Sequence, residues 1–542
     1  MEERTLNSAG QNRLPLHCNL IGLNDRGMIN SKRKDERVYV KGAVRRARGL
    51  FHLGFALAWL LCAACVASAQ TLDVKIGVVS ASPARVHIEG RRQGGATSWS
   101  FRNFYGGASG LAERVENFAL ADEGGAAVAV NKLAPGEFTA AKSATRFSYD
   151  LKLDAPAFIS DASHVSWLNA DRGLLMPADF LPQPLASAKV ELDMLAGWSV
   201  STVETKNADG TFDVSDAERA VFAVGRDLRE RRWRVGGMTT ALVADGDWSF
   251  MDEEAAGSAD EILKICEAMI GGTARQRALI VLFPLPQSAA GNLWSAETRG
   301  STVVLVSGRV PSKLAAKAQL DGSLTHELFH LWVPNGLMLD GEYDWFYEGF
   351  TNYEALRVAM RRGQLTFQDY LNTLGREYDS YRSARGAKEI SLPEASQRRW
   401  SGSTALVYHK GMLVAFLYDL TLMRETNGRQ SLGDVYRELF RRYGKGGERA
   451  DGNRAVTDAL GGMPGARDFV ARYVEGTSEI VLEPLIENFG LRVEPGGART
   501  HVGVAASPDR AQRELLRKLG YNESLDAEER KLHERLKKRL PQ

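Results

Sequence analysis

Cysteine is scarce, with four in 542 residues, and Cys18, Cys62 and Cys65 all precede anything that reads as folded domain. Cys266 alone cannot make a disulfide framework, so stability has to come from a buried core. No charge of one sign dominates: 69 Lys and Arg stand against 67 Asp and Glu. Nothing global therefore draws the chain to nucleic acid or to an anionic membrane. There is also no internal repeat, no phosphate-cradling glycine loop and no nucleic-acid motif. Hydrophobic residues at 44% and charged residues at 25% exclude a mostly disordered chain and a multi-span membrane protein. The length allows roughly three domains.

One long apolar run exists, Leu50 to Val66, broken only by His52. It follows Arg45, Arg46 and Arg48 and ends in Ala67-Ser68-Ala69, the pattern of a secretory signal. Residues 1–69 are read as a leader, with export to the periplasm or beyond. An uncleaved anchor through residues 50–66, the one route to a membrane, is the first alternative. A lipoprotein signal at Cys65 is the second, and it matches poorly because Cys62 stands where an aliphatic residue is usual. The polar stretch before Arg45 is long for such a signal, which points to a start further on, such as Met28. After cleavage Cys266 is the remaining cysteine, a small hydrophobe within the helical pattern Ile262, Ile265, Met269.

From Thr71 to about Ala220 short alternating runs are separated by Gly, Pro, Asn and Asp, as at Val74 to Val79, Arg85 to Ile88, Ala126 to Val130, Phe147 to Leu153 and Trp198 to Val203. That spacing predicts an N-terminal antiparallel β-sandwich-like domain over 70–232. Past Trp233 strands alternate with helices. Thr239 to Val243, Ala278 to Phe283 and Thr302 to Val306 read as buried strands, and Ala259 to Ile270 as a helix. Helical text then runs from Leu314 to Arg472, including Thr351 to Arg361 and Thr404 to Arg424. The fold class is α+β, with a second domain at 233–475. The C-terminal segment, 476–542, carries a last apolar stretch from Ile480 to Val493, a linker at Pro495-Gly496-Gly497 and a charged helical hairpin. Its first helix is capped at Ser507-Pro508, striped by Leu515, Leu516 and Leu519 and stopped by Gly520. Its second opens at Ser524 and carries Leu532, Leu536 and Leu540. The hairpin packs by its leucine face or, with Lys537, Lys538 and Arg539, serves a partner or a membrane surface.

The chemistry is concentrated at Thr325-His326-Glu327-Leu328-Phe329-His330. Histidines four apart on a helix lie about 40° apart around its axis and one turn apart along it, so both imidazoles reach one ion. Zinc accepts such nitrogens and keeps a position for water, and the Glu beside the first histidine can take that water's proton. Glu348, in Trp345-Phe346-Tyr347-Glu348-Gly349, opens a second helical stretch after turn-rich text. Two antiparallel helices joined this way bring it to His326 and His330 as third ligand.

H-E-x-x-H-x-W-x-x-N followed by W-x-x-E-G-x-x-x-Y resembles the gluzincin metallopeptidases, and most closely the glycyl aminopeptidase-like family. The resemblance runs from about residue 75 to 493 and is sharp over 324–354. It implies a thermolysin-like catalytic domain, one zinc per chain on His326, His330 and Glu348, and Glu327 as general base. It implies that Asn352 stands where relatives place an Asp bonded to the first zinc histidine, and that Asn335 has a structural role at the helix exit. Tyr408-His409-Lys410-Gly411 is similar to the Y-x-K-G phrase whose Tyr stabilises the oxyanion, a task suited to a neutral donor; His409 is read as a non-ligand. Ser295-Ala296-Glu297-Thr298-Arg299 is similar to the G-L-E-H-R element just before an edge strand, whose Glu binds the substrate's free amine. Here Ser295 and Thr298 replace Gly and His. Relatives continue after Gly490-Leu491-Arg492-Val493 into a PDZ domain; the helical text that follows here predicts none. The resulting expectation is an exported zinc aminopeptidase acting on small N-terminal residues of peptides or proteins. An endopeptidase on unfolded exported proteins and a zinc-binding interaction protein without activity are the alternatives; oligomeric state is left open.

Overall fold

A computed structural model describes residues 70–286, 291–494, 497–522 and 524. The stretch read as a leader, and the one read as a second C-terminal helix from Ser524, lie outside the described residues apart from Ser524 itself. Among the described residues no helix is long and apolar enough to cross a membrane.

The first layer is a nine-stranded, mostly antiparallel sheet. Strands Gln70–Ala81, Ala84–Ser100 and Glu137–Lys152 form its spine. Period-two alternation decides which face is buried. Ile76 pairs with Ile88 and Ile88 with Tyr149, Val78 with Val86 and Val86 with Leu151, so two cross-strand rows point into one core. Leu185–Asp193 joins parallel to the first strand, the exception to the antiparallel expectation.

A four-stranded sheet covers that face, made of Trp167–Leu168, Arg172–Leu175, Ser199–Ser201 and Phe222–Gly225. Its alternate residues serve two cores. Leu168, Leu175, Phe222 and Val224 pack toward the nine-stranded sheet. Trp167, Leu174, Val221 and Ala223 pack against Val243, Leu279, Val281, Phe283, Val304 and Val306 of the next sheet. The chain region read as N-terminal thus shares a core with the region read as catalytic, across residue 232. Exposing those last six side chains would cost on the order of 10 kcal/mol, comparable to the whole stability of a domain.

The third sheet has strand order Arg229–Val235, Met238–Ala244, Arg277–Pro284, Thr302–Ser307, Trp294–Arg299. Its first strand straddles residue 232, so this sheet starts earlier than the sequence suggested. Parallel pairing of Met238–Ala244 with Arg277–Pro284 requires a crossover, supplied by the helix Asp252–Ile270. Cys266 is buried on that helix among Ile262 and Met269, where burial pushes its thiol up to about 12. Glu297 lies within the edge strand rather than ahead of it.

Helices make up most of the rest, sharing one large core. Leu491–Glu494 and His501–Val504 pair antiparallel on either side of the glycine-rich stretch, which therefore joins two strands instead of linking domains. The helix Arg510–Leu519 follows. Its cap is Asp509, in a reciprocal pair with Gln512, and not Ser507, because Asp509 accepts from the Gln512 N–H at 2.8 Å. Leu516 and Leu519 are buried in the main core, with Leu515 packed beside them, and Gly520 ends the helix at φ 113°. The leucine stripe is thus used against the body of the protein.

Candidate metal and active site

The helix Lys313–Phe329 delivers His326 and Glu327, and His330 follows as its C-cap. A second arm, Trp345–Phe350, is wound as a π-helical turn carrying Glu348 and runs on into the helix Thr351–Arg361. A third, Leu406–Lys410, is also π-wound, carries Tyr408 and continues into Gly411–Glu425. Such wide turns re-aim side chains locally. The last two arms cross at glycine: a Cβ on Gly411 would stand 2.7 Å from the Trp345 carbonyl oxygen, and one on Gly349 would stand 2.6 Å from the Gly411 Cα. Only the absence of both side chains lets Glu348 and Tyr408 approach one another.

His326, His330 and Glu348 form the one group of three metal-capable side chains among the described residues, their ligand atoms within 4.8 Å of one another. His326 Nε2 lies 3.0 Å from His330 Nε2. Glu348 Oε2 lies 3.3 Å from His326 Nε2 and 3.7 Å from His330 Nε2. Four tetrahedral ligands at zinc distances stand about 3.3 Å apart, so this triangle fits the ion. The His330 Nδ1 donates to the Val333 carbonyl at 2.8 Å, which leaves Nε2 with a free lone pair for a metal. Burial disfavours charge on Glu348, but Arg399 and the two histidines outweigh it and hold the carboxyl well below its usual range.

Glu327 is buried beside the triangle. The Thr298 hydroxyl lies 2.8 Å from its Oε2 and 2.7 Å from its backbone oxygen. Asn335 ties the edge strand to the helix exit: its Oδ1 accepts from Gly300 N–H at 3.0 Å, and its Nδ2 donates to the His330 carbonyl at 3.1 Å. That is the structural part expected of it. Asn352 makes no hydrogen bond to His326 among the described residues, so the structure does not bring those two together in the expected way. His409 pairs with Glu377 at 2.6 Å, away from the triangle.

Tyr408 is brought to Glu348. Burial first, and then the Glu348 charge, raise its hydroxyl well above the ordinary phenol range, with Arg399 opposing. It is therefore neutral and holds a proton to donate. Arg399, which no sequence motif flagged, donates from Nη2 to the Tyr408 oxygen at 2.7 Å and lies 3.2 Å from Glu348 Oε1 through Nη1.

Glu297 sits on the edge strand next to Thr298, with two partners from the chain before residue 232 that the sequence did not reveal. Tyr105 donates to its Oε1 at 2.5 Å, and His164 Nδ1 lies 3.0 Å from its Oε2. Burial works to raise the Glu297 carboxyl, yet the His164 charge and hydrogen bond, with Arg299, lower it overall. His164 is raised in return, Glu297 overcoming burial. The short hairpin Phe104–Tyr105 and Ala108–Ser109 that carries Tyr105 also sets Phe104 edge-on to Trp400, centroids 6.2 Å apart, beside Arg399.

Comparison with known proteins agrees with this geometry. Residues 338–414 match the M61 glycyl aminopeptidase family, a span that holds both Glu348 and Tyr408. An aminopeptidase N family protein from Idiomarina loihiensis superposes with a TM-score of 0.67 at 17% identity, over 78% of this chain and 79% of that one. An M1 zinc metallopeptidase variant from Deinococcus radiodurans gives a TM-score of 0.51 at 15% identity, over 76% of this chain and 95% of that one. At those identities the likeness is one of fold. A search of curated proteins finds none that matches the sequence. Fold, ligand triangle and family match together define a zinc metallopeptidase. Within that class, the span 338–414 is similar to the glycyl aminopeptidases.

Proposed function

We propose that this protein is an exported aminopeptidase that removes small residues from the free N-termini of peptides. The reading is supported by the triangle of His326, His330 and Glu348, with Tyr408 beside Glu348 and Glu327 hydrogen-bonded to Thr298, the neighbour of Glu297 on the edge strand. His326, His330 and Glu348 would hold one zinc ion, which would supply a Lewis acid for the scissile carbonyl and make a nearby water more acidic. Glu327 takes the proton of the attacking water and passes it to the leaving amine. Thr298 keeps that carboxylate pointed at its task. Tyr408 donates a hydrogen bond to the oxyanion that develops on the substrate, keeping its proton and so not changing charge itself. Glu297 accepts the substrate's ammonium group and so fixes which bond reaches Glu327. Export rests on the leader pattern ending at Ala69, and N-terminal sequencing of protein from the producing cell should find a chain beginning at Gln70.

A second reading, cleavage within longer chains, is favoured by one observation: both Glu297 oxygens already have partners in Tyr105 and His164. Anilides of Gly, Ala, Leu and Phe, each free and N-acetylated, separate the two. The aminopeptidase reading predicts turnover of free Gly and Ala substrates, little of Leu or Phe, and none of the acetylated set. Equal turnover of acetylated substrates would transfer the assignment to an endopeptidase.

A further inference from the structure

We infer that Arg399 is a positioning residue for catalysis, aiming the Tyr408 phenol at the oxyanion; this rests on the reading of Tyr408 as the oxyanion donor. The argument starts from the valence of a phenol, which has one proton and accepting lone pairs on its oxygen. Arg399 Nη2 donates to that oxygen at 2.7 Å. A guanidinium cannot accept, so the phenol proton is directed away from Arg399 and toward the side of Glu348 and the ligand triangle. The same positive charge draws electron density from the phenol and strengthens it as a donor at the moment the oxyanion forms.

The guanidinium is itself fixed. Nη1 bonds Asp344 and lies 3.2 Å from Glu348 Oε1. Its Cζ lies over two aromatic rings, 4.8 Å from the Trp400 ring centroid and 5.4 Å from that of Tyr408. Two carboxylates compensate its charge, so Arg399 is poorly placed to capture a substrate carboxylate and well placed to hold a neutral neighbour. Among the described residues the one neutral hydrogen-bond partner of the guanidinium is Tyr408. A planar fork that meets a carboxylate pair with one edge and a phenol with the other is a task that Lys cannot duplicate.

A double-mutant cycle on the zinc-loaded protein tests this, using Arg399→Gln, Arg399→Lys, Tyr408→Phe and Arg399→Gln/Tyr408→Phe with a free-amine glycyl or alanyl anilide. Removal of one oxyanion donor costs about 10²- to 10³-fold in kcat, and Tyr408→Phe is expected in that range. Arg399→Gln is expected to lower kcat about tenfold to a hundredfold with KM nearly unchanged, and the double variant to be no slower than Tyr408→Phe alone. Arg399→Lys is expected to recover less than half of the loss on a logarithmic scale. Binding of a phosphinic pseudodipeptide, which mimics the tetrahedral state, should weaken in Arg399→Gln by the same factor as kcat. If the two single losses multiply in the double variant, or if Arg399→Gln and Arg399→Lys both lose zinc together with activity, Arg399 serves Glu348 or the fold and the inference fails alone. If Tyr408→Phe keeps full activity, the Tyr408 reading fails and takes the inference with it.

Discussion

The Thr298 hydroxyl stands 2.8 Å from Glu327 Oε2, joining the sheet's edge strand to the carboxylate that sits between the two histidines in sequence. One hydroxyl proton serves either this oxygen or the Glu327 backbone oxygen at a time, so the contact steers the carboxylate without locking it. Thr298→Val keeps the shape and removes the donor. A hydrogen bond to a charged group contributes about 1.5 to 3 kcal/mol, partly recovered here by the competing acceptor. The expected outcome is a kcat lowered about five- to twentyfold with KM little changed, and recovery in Thr298→Ser. Steady-state kinetics of the three proteins is the check.

Glu297 distinguishes free from blocked N-termini in this account. Glu297→Gln keeps the side chain's size and its bond from Tyr105 while removing the charge. Its kcat/KM on free-amine substrates should fall about tenfold to a hundredfold, the loss of one charge-assisted contact. Any residual cleavage of acetylated substrates should stay as it was. A parallel fall on both kinds of substrate would mean that Glu297 supports the edge strand instead.

The glycine crossing predicts an unusually costly methyl group. Gly411→Ala pushes a Cβ toward the Trp345 carbonyl oxygen and the Gly349 Cα, a backbone clash that no rotamer relieves. Overpacking of this kind costs about 1 to 3 kcal/mol, and the separation of Glu348 from Tyr408 changes with it. Gly461→Ala is the control, since its Cβ meets nothing within 4 Å. Thermal unfolding should show a fall of several degrees for the first and none for the second, with activity lost only in the first.

Stability should also carry a pH signature far from the site. Burial, with Asp216 nearby, pushes the Glu204 carboxyl from 4.5 up to about 7. The native state binds this proton more tightly than the unfolded chain does. The stability it contributes is therefore complete below about pH 4.5 and is lost as pH rises through about 7. Glu204→Gln should be more stable than wild type by roughly 1 to 2 kcal/mol at pH 8, allowing for partial solvent access, and equal to it below pH 4.5. Chemical denaturation at the two pH values decides, and an equal difference at both would show that the gain has another cause.

What could be read from the sequence follows the range of the interactions. His326, Glu327 and His330 share one helical turn, and Glu348 follows across a single helix-to-helix connection, so local period and spacing were enough. Three of the third sheet's five strands, Met238–Ala244, Arg277–Pro284 and Thr302–Ser307, were legible as apolar runs, whereas the charged Arg229–Val235 and the polar Trp294–Arg299 were not. Tyr105 and Glu297 are 192 residues apart, and no periodic signal links them; only the packing of one layer on another makes them partners. The four-stranded sheet was blurred because it is buried on both faces, which erases the alternation that marks a strand with one wet face. Arg399 lies in a short, irregular stretch after a helix, where its neighbours Arg398 and Trp400 give no hint of which side chain turns inward. At the C-terminus Ser507-Pro508 looks like a helix start, and the reciprocal Asp509 and Gln512 pair, whose cap lies two residues past Ser507, prevailed.

The central claim is that His326, His330 and Glu348 hold zinc for Glu327 to work beside, and elemental analysis of the purified protein tests it most directly. Wild type and Glu327→Gln should each retain about one zinc per chain, with the variant inactive, while His330→Ala and Glu348→Gln should retain almost none. Zinc that persists at the wild-type level in both ligand variants, or a wild-type protein that is active and holds no metal, would contradict the account.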